Sequence, residues 1–412
     1  MTLVAPRATR SLLAVLAAAA AIVAGFLVAP GDARAARGME LAIQDDGLFV
    51  QGRKGWGGEK AFDYARAIGV TRIRVNLLWA YTMPADQYGA RNKPQQIYYQ
   101  FAQVDDLIDR AAQNGIRIHL SLTGPAPRWA NARRATTGRA WYKPNVREFG
   151  EWSAVVARHF AGRVDRYSVW NEPNWKTWLG PLKAAPALYR GMYTRAYSAI
   201  KAVDPKAKVL IGETSPYARP GFSTAPLAFL RAVACVNSSY KRTGSCPKLK
   251  ADGYAHHPYD FAHAPAFQYP GADNVTIGTL PRLTKALGRL SRSGALRFTG
   301  RGKMPLYLTE YGYFASGRRA LPARTATRYL QQAYSIALRN GSVKSQLHYL
   351  LTTLPGRSPS AFNTGIVKGS GQRLPQYKGL QRWYRGNRSR VKRPGSPVSL
   401  PLAPVGPILQ VN

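Results

Sequence analysis

The sequence predicts a (β/α)8 TIM barrel, an α/β fold, and three observations carry that reading. Eight short apolar runs alternate with longer stretches of helical spacing. Glutamates stand at the ends of the fourth and seventh runs, where the parallel strands of a closed barrel would bring both to one rim. No Gly-rich turn follows an early strand, which leaves a doubly wound open sheet as the lesser alternative.

The first strand covers residues 39–43 and enters Asp45-Asp46-Gly47. Helical spacing over 60–68 stops at Gly69, and 71–78 is the second strand. An amphipathic helix over 101–112 stops at Asn114-Gly115 before a strand at 116–122. Residues 146–160 are helical and 164–170 extended. A helix at 188–203 ends at Asp204-Pro205 and precedes the strand 208–212, and one at 225–236 precedes the strand 253–257. Helices at 280–290 and 325–338 precede the last strands, 305–309 and 343–351. Long connections at 123–145 and 173–186 are expected to shape a cleft at the strand ends.

The chain ends read separately from this domain, assigned to 36–385. Arg7 and Arg10 precede an apolar stretch over 12–28, a break at Pro30-Gly31 and small residues around Ala33 and Ala35. Residues 1–35 therefore read as an export signal, with an uncleaved anchor as the alternative; both place the domain outside the cytoplasm. Cys235 and Cys246, the two cysteines, are expected to form a disulfide in that oxidising setting. Residues 386–412 form a basic Pro-rich tail, either an extended coat or disordered, whose Ile408-Leu409 and Val411 suit docking on the body.

Composition narrows the function classes. The formal charge is +39, from 59 Lys plus Arg against 20 Asp plus Glu. Such a field favours an anionic partner, such as an acidic polysaccharide, an envelope polymer or a lipid surface. The basic residues are spread along the chain, crowding locally at Arg133-Arg134, and no nucleic-acid-binding motif accompanies them, so no specific nucleic-acid partner is expected. A monomer with peripheral envelope contact is the expected state.

The two glutamates carry the chemistry. A retaining glycosidase needs one carboxylic acid to protonate the leaving oxygen and one carboxylate to attack the anomeric carbon. Glu172, in Trp170-Asn171-Glu172-Pro173, is read as the acid/base, and Glu310, in Leu308-Thr309-Glu310-Tyr311-Gly312, as the nucleophile. Asn171 is placed to donate to a sugar 2-hydroxyl. Arg74 is taken as the inward guanidinium for Glu310, with Arg72 on the opposite face. His257 and Tyr259, two apart, are expected on one side, His257 on a sugar hydroxyl and Tyr259 on Glu310. His119 is read as a buried hydrogen-bonded residue or a sugar contact. Trp79, Trp129 and Trp175 are candidate stacking platforms. Glu213 is a third carboxylate at the mouth, and Asp45 and Asp46 divide between substrate binding and turn making. No metal ligand set or organic cofactor is expected; His256, His257 and His263 lack a supporting carboxylate spacing.

These stretches resemble glycoside hydrolase clan A, the retaining (β/α)8 enzymes, over about residues 39–384. The motif Trp170-Asn171-Glu172-Pro173-Asn174 is similar to families 39 and 5, and Gly124-Pro125-Ala126-Pro127-Arg128-Trp129 leans towards family 39. The resemblance implies Glu172 as acid/base and Glu310 as nucleophile, supported by Arg74, Asn171, His257 and Tyr259. Where many relatives have a Trp at the end of the eighth strand, this chain has His348-Tyr349, and His348 or Tyr349 is the candidate replacement. The resulting expectation is an exported retaining glycosidase acting on a poly- or oligosaccharide. A transglycosidase on the same scaffold and a non-catalytic carbohydrate-binding barrel are the alternatives.

Overall fold

The computed structural model describes residues 38–57, 59–132, 141–354 and 362–404, and the backbone of 408–411. The expected signal and the Arg133-Arg134 pair lie outside the described residues. Eight parallel strands close a barrel: β1 (Glu40–Gln44), β2 (Val70–Leu78), β3 (Arg117–Thr123), β4 (Arg166–Val169), β5 (Lys208–Thr214), β6 (Gly253–His256), β7 (Leu306–Leu308) and β8 (Val343–Tyr349). Each pairs with its sequence neighbour, and β8 returns to β1 with Glu40 opposite Ser345.

A helix follows each strand: α1 (Lys60–Ala67), α2 (Ala102–Gln113), α3 (Val146–His159), α4 (Ala185–Val203), α5 (Pro226–Val233), α6 (Leu280–Arg292), α7 (Ala323–Arg339) and α8 (Pro375–Gly386). Their boundaries have local causes. The Asn145 side chain caps α3 by accepting from the N–H groups of Arg147 and Glu148. In α6, Leu283, Ala286, Leu287 and Leu290 repeat at helical spacing and form the buried stripe against the barrel. With alternating strands and helices, the strand C-terminal ends share one mouth and the helix C-termini lie at the opposite end.

Inside the barrel, near the strand N-terminal ends, a buried charge network replaces an apolar layer. Arg166 on β4 donates to Glu40 on β1 at 2.6 Å, and Arg72 Nε reaches the same Glu40 oxygen at 3.2 Å. Arg72 also bonds Asp165 at 2.6 Å, while the Arg166 guanidinium lies 4.4 Å from the Tyr307 ring centre. This corrects the facing assigned to Arg72. Residues two apart on a strand share a face, so Arg72 and Arg74 both point inward, in successive layers.

Three features went beyond the expected elements. Helix α8 covers residues not assigned to any element from sequence. The backbone of 408–411 pairs antiparallel with 96–99, and tail residues Gly395 and Val398 donate to the carbonyls of Gly115 and Ala112. A small parallel pair, Leu249–Ala251 with Leu296–Phe298, lies outside the barrel sheet. The Cys235–Cys246 disulfide is formed, with Cα atoms 6.3 Å apart. Among the described residues, no helix is long and apolar enough to cross a membrane.

Candidate active site

Backbone turns at the ends of β4 and β5 aim the first acidic groups. Beyond β4, Trp170 and Glu172 take left-handed conformations, φ 59° and 39°, which non-glycine residues occupy only where the surroundings hold them. The Trp170 N–H is fixed on Leu122 O at 2.8 Å and the Glu172 N–H on Glu213 O at 2.9 Å. On β5 the register with β6 slips between Gly212 and Thr214, leaving Glu213 as the extra, unpaired residue of a bulge at φ 51°. The slip turns Glu213 into the barrel.

Arg74, fully buried on β2, organises what converges there. Its Nη1 donates to Glu310 Oε1 at 2.9 Å and to Gln44 Oε1. Its Nη2 reaches Asn171 Oδ1 at 2.9 Å, Glu213 Oε2 at 3.0 Å and Ser121 Oγ at 3.3 Å. Tyr259 donates its hydroxyl to the other Glu310 oxygen at 3.1 Å. Glu310 thus has a donor on each oxygen, as expected of a carboxylate held for attack. Because Arg74 takes the Asn171 carbonyl, the amide N–H groups are left as that side chain's donors.

An oxygen of Glu172, an oxygen of Glu310 and a nitrogen of His257 all lie within 4.8 Å of one another. So close an approach is consistent with a retaining pair, whose carboxyls stand about 5 to 5.5 Å apart. His257 bridges two acids, with Nδ1 3.0 Å from Glu172 Oε1 and Nε2 2.7 Å from Glu213 Oε2. Both ring nitrogens are committed to carboxylates, so the expected role on a sugar hydroxyl is corrected to a link between Glu172 and Glu213.

The electrostatics divide the acids. Burial opposes charge on His257, but Glu310, Glu172 and Glu213 outweigh it and lift its pKa to about 10. Burial also works against an ionised Glu213, yet Arg74 and His257 prevail and hold that carboxyl well below the usual range. Glu172 goes the other way: burial raises it, and the Glu310 charge adds to the rise against the opposing His257 hydrogen bond. Arg74 and His257 thus bring two cations to the acids of the site, and burial with the neighbouring Glu310 makes Glu172 the acid that holds its proton more readily than an ordinary glutamate. The positions of Glu172, His257 and Glu310 alone would suit a small cation. The donor chemistry does not: a doubly protonated imidazole offers no lone pair, and a guanidinium already occupies Glu310.

The remaining candidates fall in three groups. His119 is buried, 2.9 Å from Ser168 Oγ and 3.9 Å from Glu213, and supports the buried acid from within the barrel. Trp79 is corrected as a platform: it is fully buried, stacked on Trp152 and edge-on to Phe149 and Trp129. Trp129, Trp175 and Tyr349 are half-buried; the Trp175 N–H bonds Glu172 O, and the Tyr349 ring packs 5.5 Å from Phe362. His348 is buried on Thr364 O. Asp45 is a turn former, capping Leu48 and accepting from Thr352, whereas Asp46 is bonded by Gln44 and raised by burial to about 7. His256 faces away on Thr214, and His263 pairs with Asp260. Gln44, Ser121 and Thr309, which donates to Glu213 at 2.9 Å, were not anticipated. Strand-end position was the available signal for Gln44 and Thr309.

Comparison with known proteins agrees with this geometry. A model of the cellulase family, glycosyl hydrolase family 5, matches residues 31–342, well over half of the chain. A family 39 glycoside hydrolase from Bacteroides cellulosilyticus WH2 superposes with TM-score 0.57 at 20% identity, over 84% of this chain and 63% of that one. A monomeric beta-xylosidase from Caulobacter crescentus CB15 gives 0.55 at 20% identity, over 84% and 69%. Beta-glucosidase 47 of Arabidopsis thaliana is 29% identical over 120 residues, which are 29% of this chain and 21% of the plant protein. The structural likenesses show the same barrel, and the family match, together with the paired glutamates, shows that this chain belongs to glycosyl hydrolase family 5.

Proposed function

We propose that the protein is an exported retaining glycosidase that cleaves O-glycosidic bonds by double displacement. The observation that carries this reading is the close approach of Glu172 and Glu310, each with the electrostatic setting its role needs. Glu310 attacks the anomeric carbon while Glu172 gives its proton to the departing oxygen, forming a glycosyl ester on Glu310. Glu172, now ionised, takes a proton from water as that water attacks the same carbon. Glu310 leaves, and the configuration is restored. The Asn171 amide is placed to bond the sugar 2-hydroxyl as the oxocarbenium-like state develops. The substrate is a poly- or oligosaccharide; the apolar segment 12–28 and the Cys235–Cys246 bond support an extracytoplasmic setting.

The test is covalent trapping. A panel of 2-deoxy-2-fluoro glycosyl fluorides is expected to leave one sugar on the peptide carrying Glu310, read by mass spectrometry. Glu310→Gln should fold and neither label nor turn over. Labelling of another carboxylate, or product released with inverted configuration by NMR, would overturn the assignment.

A further inference from the structure

Two loops beside Glu172 build a cationic aromatic shelf that the catalytic chemistry does not use. The segment following Glu172 in sequence is tied to the loop after β5: Lys176 N–H bonds Phe222 O at 2.8 Å, Thr224 N–H bonds Asn174 O at 2.9 Å, and Trp175 bridges Ser223. Ser223 Oγ in turn accepts from the Arg219 N–H and donates to Tyr217 O, both at 2.9 Å. Held on this double loop, the Phe222 ring is 49% exposed, although burying it would be favourable. Lys176 Nζ sits 3.7 Å from its ring centre and the Arg219 guanidinium 5.9 Å away. Both cations are exposed, and neither forms an ion pair with a carboxylate among the described residues. Tyr217, whose ring stacks on Tyr269 with centres 4.9 Å apart, belongs to the same loop through its carbonyl, which accepts from Ser223 Oγ.

The position matters because an acid/base stands on the side where the leaving group departs. The exposed part of the ring presents apolar surface to a sugar, and the cations held over the ring present charge to a carboxylate, sulfate or phosphate on that sugar. Resting on the glycosidase reading above, we propose that Phe222, Lys176 and Arg219 form a specificity site for an anionic residue in the leaving-group portion of the glycan. Uronate and phosphate-bearing chains share the chemistry the shelf recognises.

The molecule's general positive field is the competing explanation, so the test carries a charge-matched control. Arg385 and Arg388 line an exposed basic cleft with Arg66 and Arg393, and they lie at the end of the barrel opposite the catalytic mouth. Binding of a glycan panel containing neutral, uronate-bearing and phosphate-bearing members is measured on the Glu310→Gln protein. Lys176→Ala/Arg219→Ala is compared with Arg385→Ala/Arg388→Ala. Acidic glycans should bind more tightly than neutral ones, and the shelf variant should lose about tenfold for them, as two exposed charge contacts allow. The control pair should lose little, and Lys176→Arg/Arg219→Lys should restore most of the binding. The uronate and phosphate arms tell the two sources apart. Equal losses in both double variants, or no preference for acidic members, would overturn the proposal. Turnover of neutral nitrophenyl glycosides by the shelf variant in the otherwise wild-type chain should be unchanged. That readout reports on the glycosidase reading separately, since its failure in the wild type would strike that reading and not the shelf.

Discussion

His257 sets the protonation pattern of the site, because its charge is shared between an acid that must keep a proton and one that must not. It stabilises ionised Glu213 and, through the same ring, opposes the rise of Glu172. Burial and the Glu310 charge still prevail, so Glu172 is protonated at pH values where an ordinary glutamate is not. Turnover should therefore fall on the alkaline side as Glu172 loses its proton, with the midpoint above the usual carboxylate range. In Glu172→Gln, a dinitrophenyl glycoside, whose leaving group needs no proton, should still glycosylate Glu310, and that alkaline limb should vanish from the pre-steady-state burst. A limb that persists unchanged would assign it to another group. Arg74 supports a second prediction at this scale. Its planar fork reaches Glu310, Asn171 and Glu213 at once, a geometry an ammonium cannot reproduce. Arg74→Lys should cost about 10² to 10³ in kcat, the scale of losing one oriented charge contact in a dry site, while circular dichroism stays that of the folded barrel. Unchanged kcat would remove Arg74 from the machinery.

At the scale of elements, the bulge at the end of β5 is the device that delivers Glu213. It depends on Gly212, whose φ is 118° and whose added Cβ would lie 2.4 Å from Ala255 O on the neighbouring strand. Gly212→Ala should destabilise the protein by at least about 2 kcal/mol, by backbone strain and overpacking together, and should lower kcat because Glu213 and His257 shift with it. Urea unfolding read beside kcat tests both; a variant of wild-type stability would show that the bulge tolerates a side chain. The same strand shows where sequence is a good guide and where it stops. Strands such as 208–212 were legible because an apolar run ends in punctuation, and the barrel rim follows from eight such ends. The extension to Thr214 was not, since a bulge is a misfit between two strands and leaves no period in either. The link from His257 to Glu213 was hidden for the same reason. Helix α8 has a legible signal, since Gln376, Tyr377, Leu380, Trp383 and Tyr384 repeat at helical spacing, but basic residues interleave with them and dilute the apolar stripe. The burial of Trp79 beneath three other aromatic rings arises from long-range packing, which position at a strand end cannot reveal.

Across the whole molecule, charge is buried at both ends of the barrel interior for opposite purposes. Near the mouth, burial and the Glu310 charge raise the Glu172 pKa, and the arrangement serves reaction. At the other end, Glu40 is paired with Arg72, Arg166 and Lys392, and it serves integrity. Burial disfavours the Glu40 charge, but the surrounding cations outweigh it and hold the carboxyl far below its ordinary range. A depressed folded pKa contributes stability that is present above the unfolded value and is lost as pH falls towards the folded one. Glu40→Gln leaves two buried guanidiniums without their shared anion, and about 3 to 5 kcal/mol should be lost at pH 7. At pH 3 the wild type has already forfeited part of that contribution, because the unfolded chain binds the proton. The gap between the two proteins should then narrow by about 2 kcal/mol. Urea midpoints at both pH values measure this, and kcat of the folded Glu40→Gln fraction should stay at the wild-type value, since the substitution lies at the end of the barrel away from Glu172 and Glu310. A gap that widens in acid, or a kcat that falls with the stability, would show that the two charge layers are coupled through Arg72 and Arg74 on their common strand.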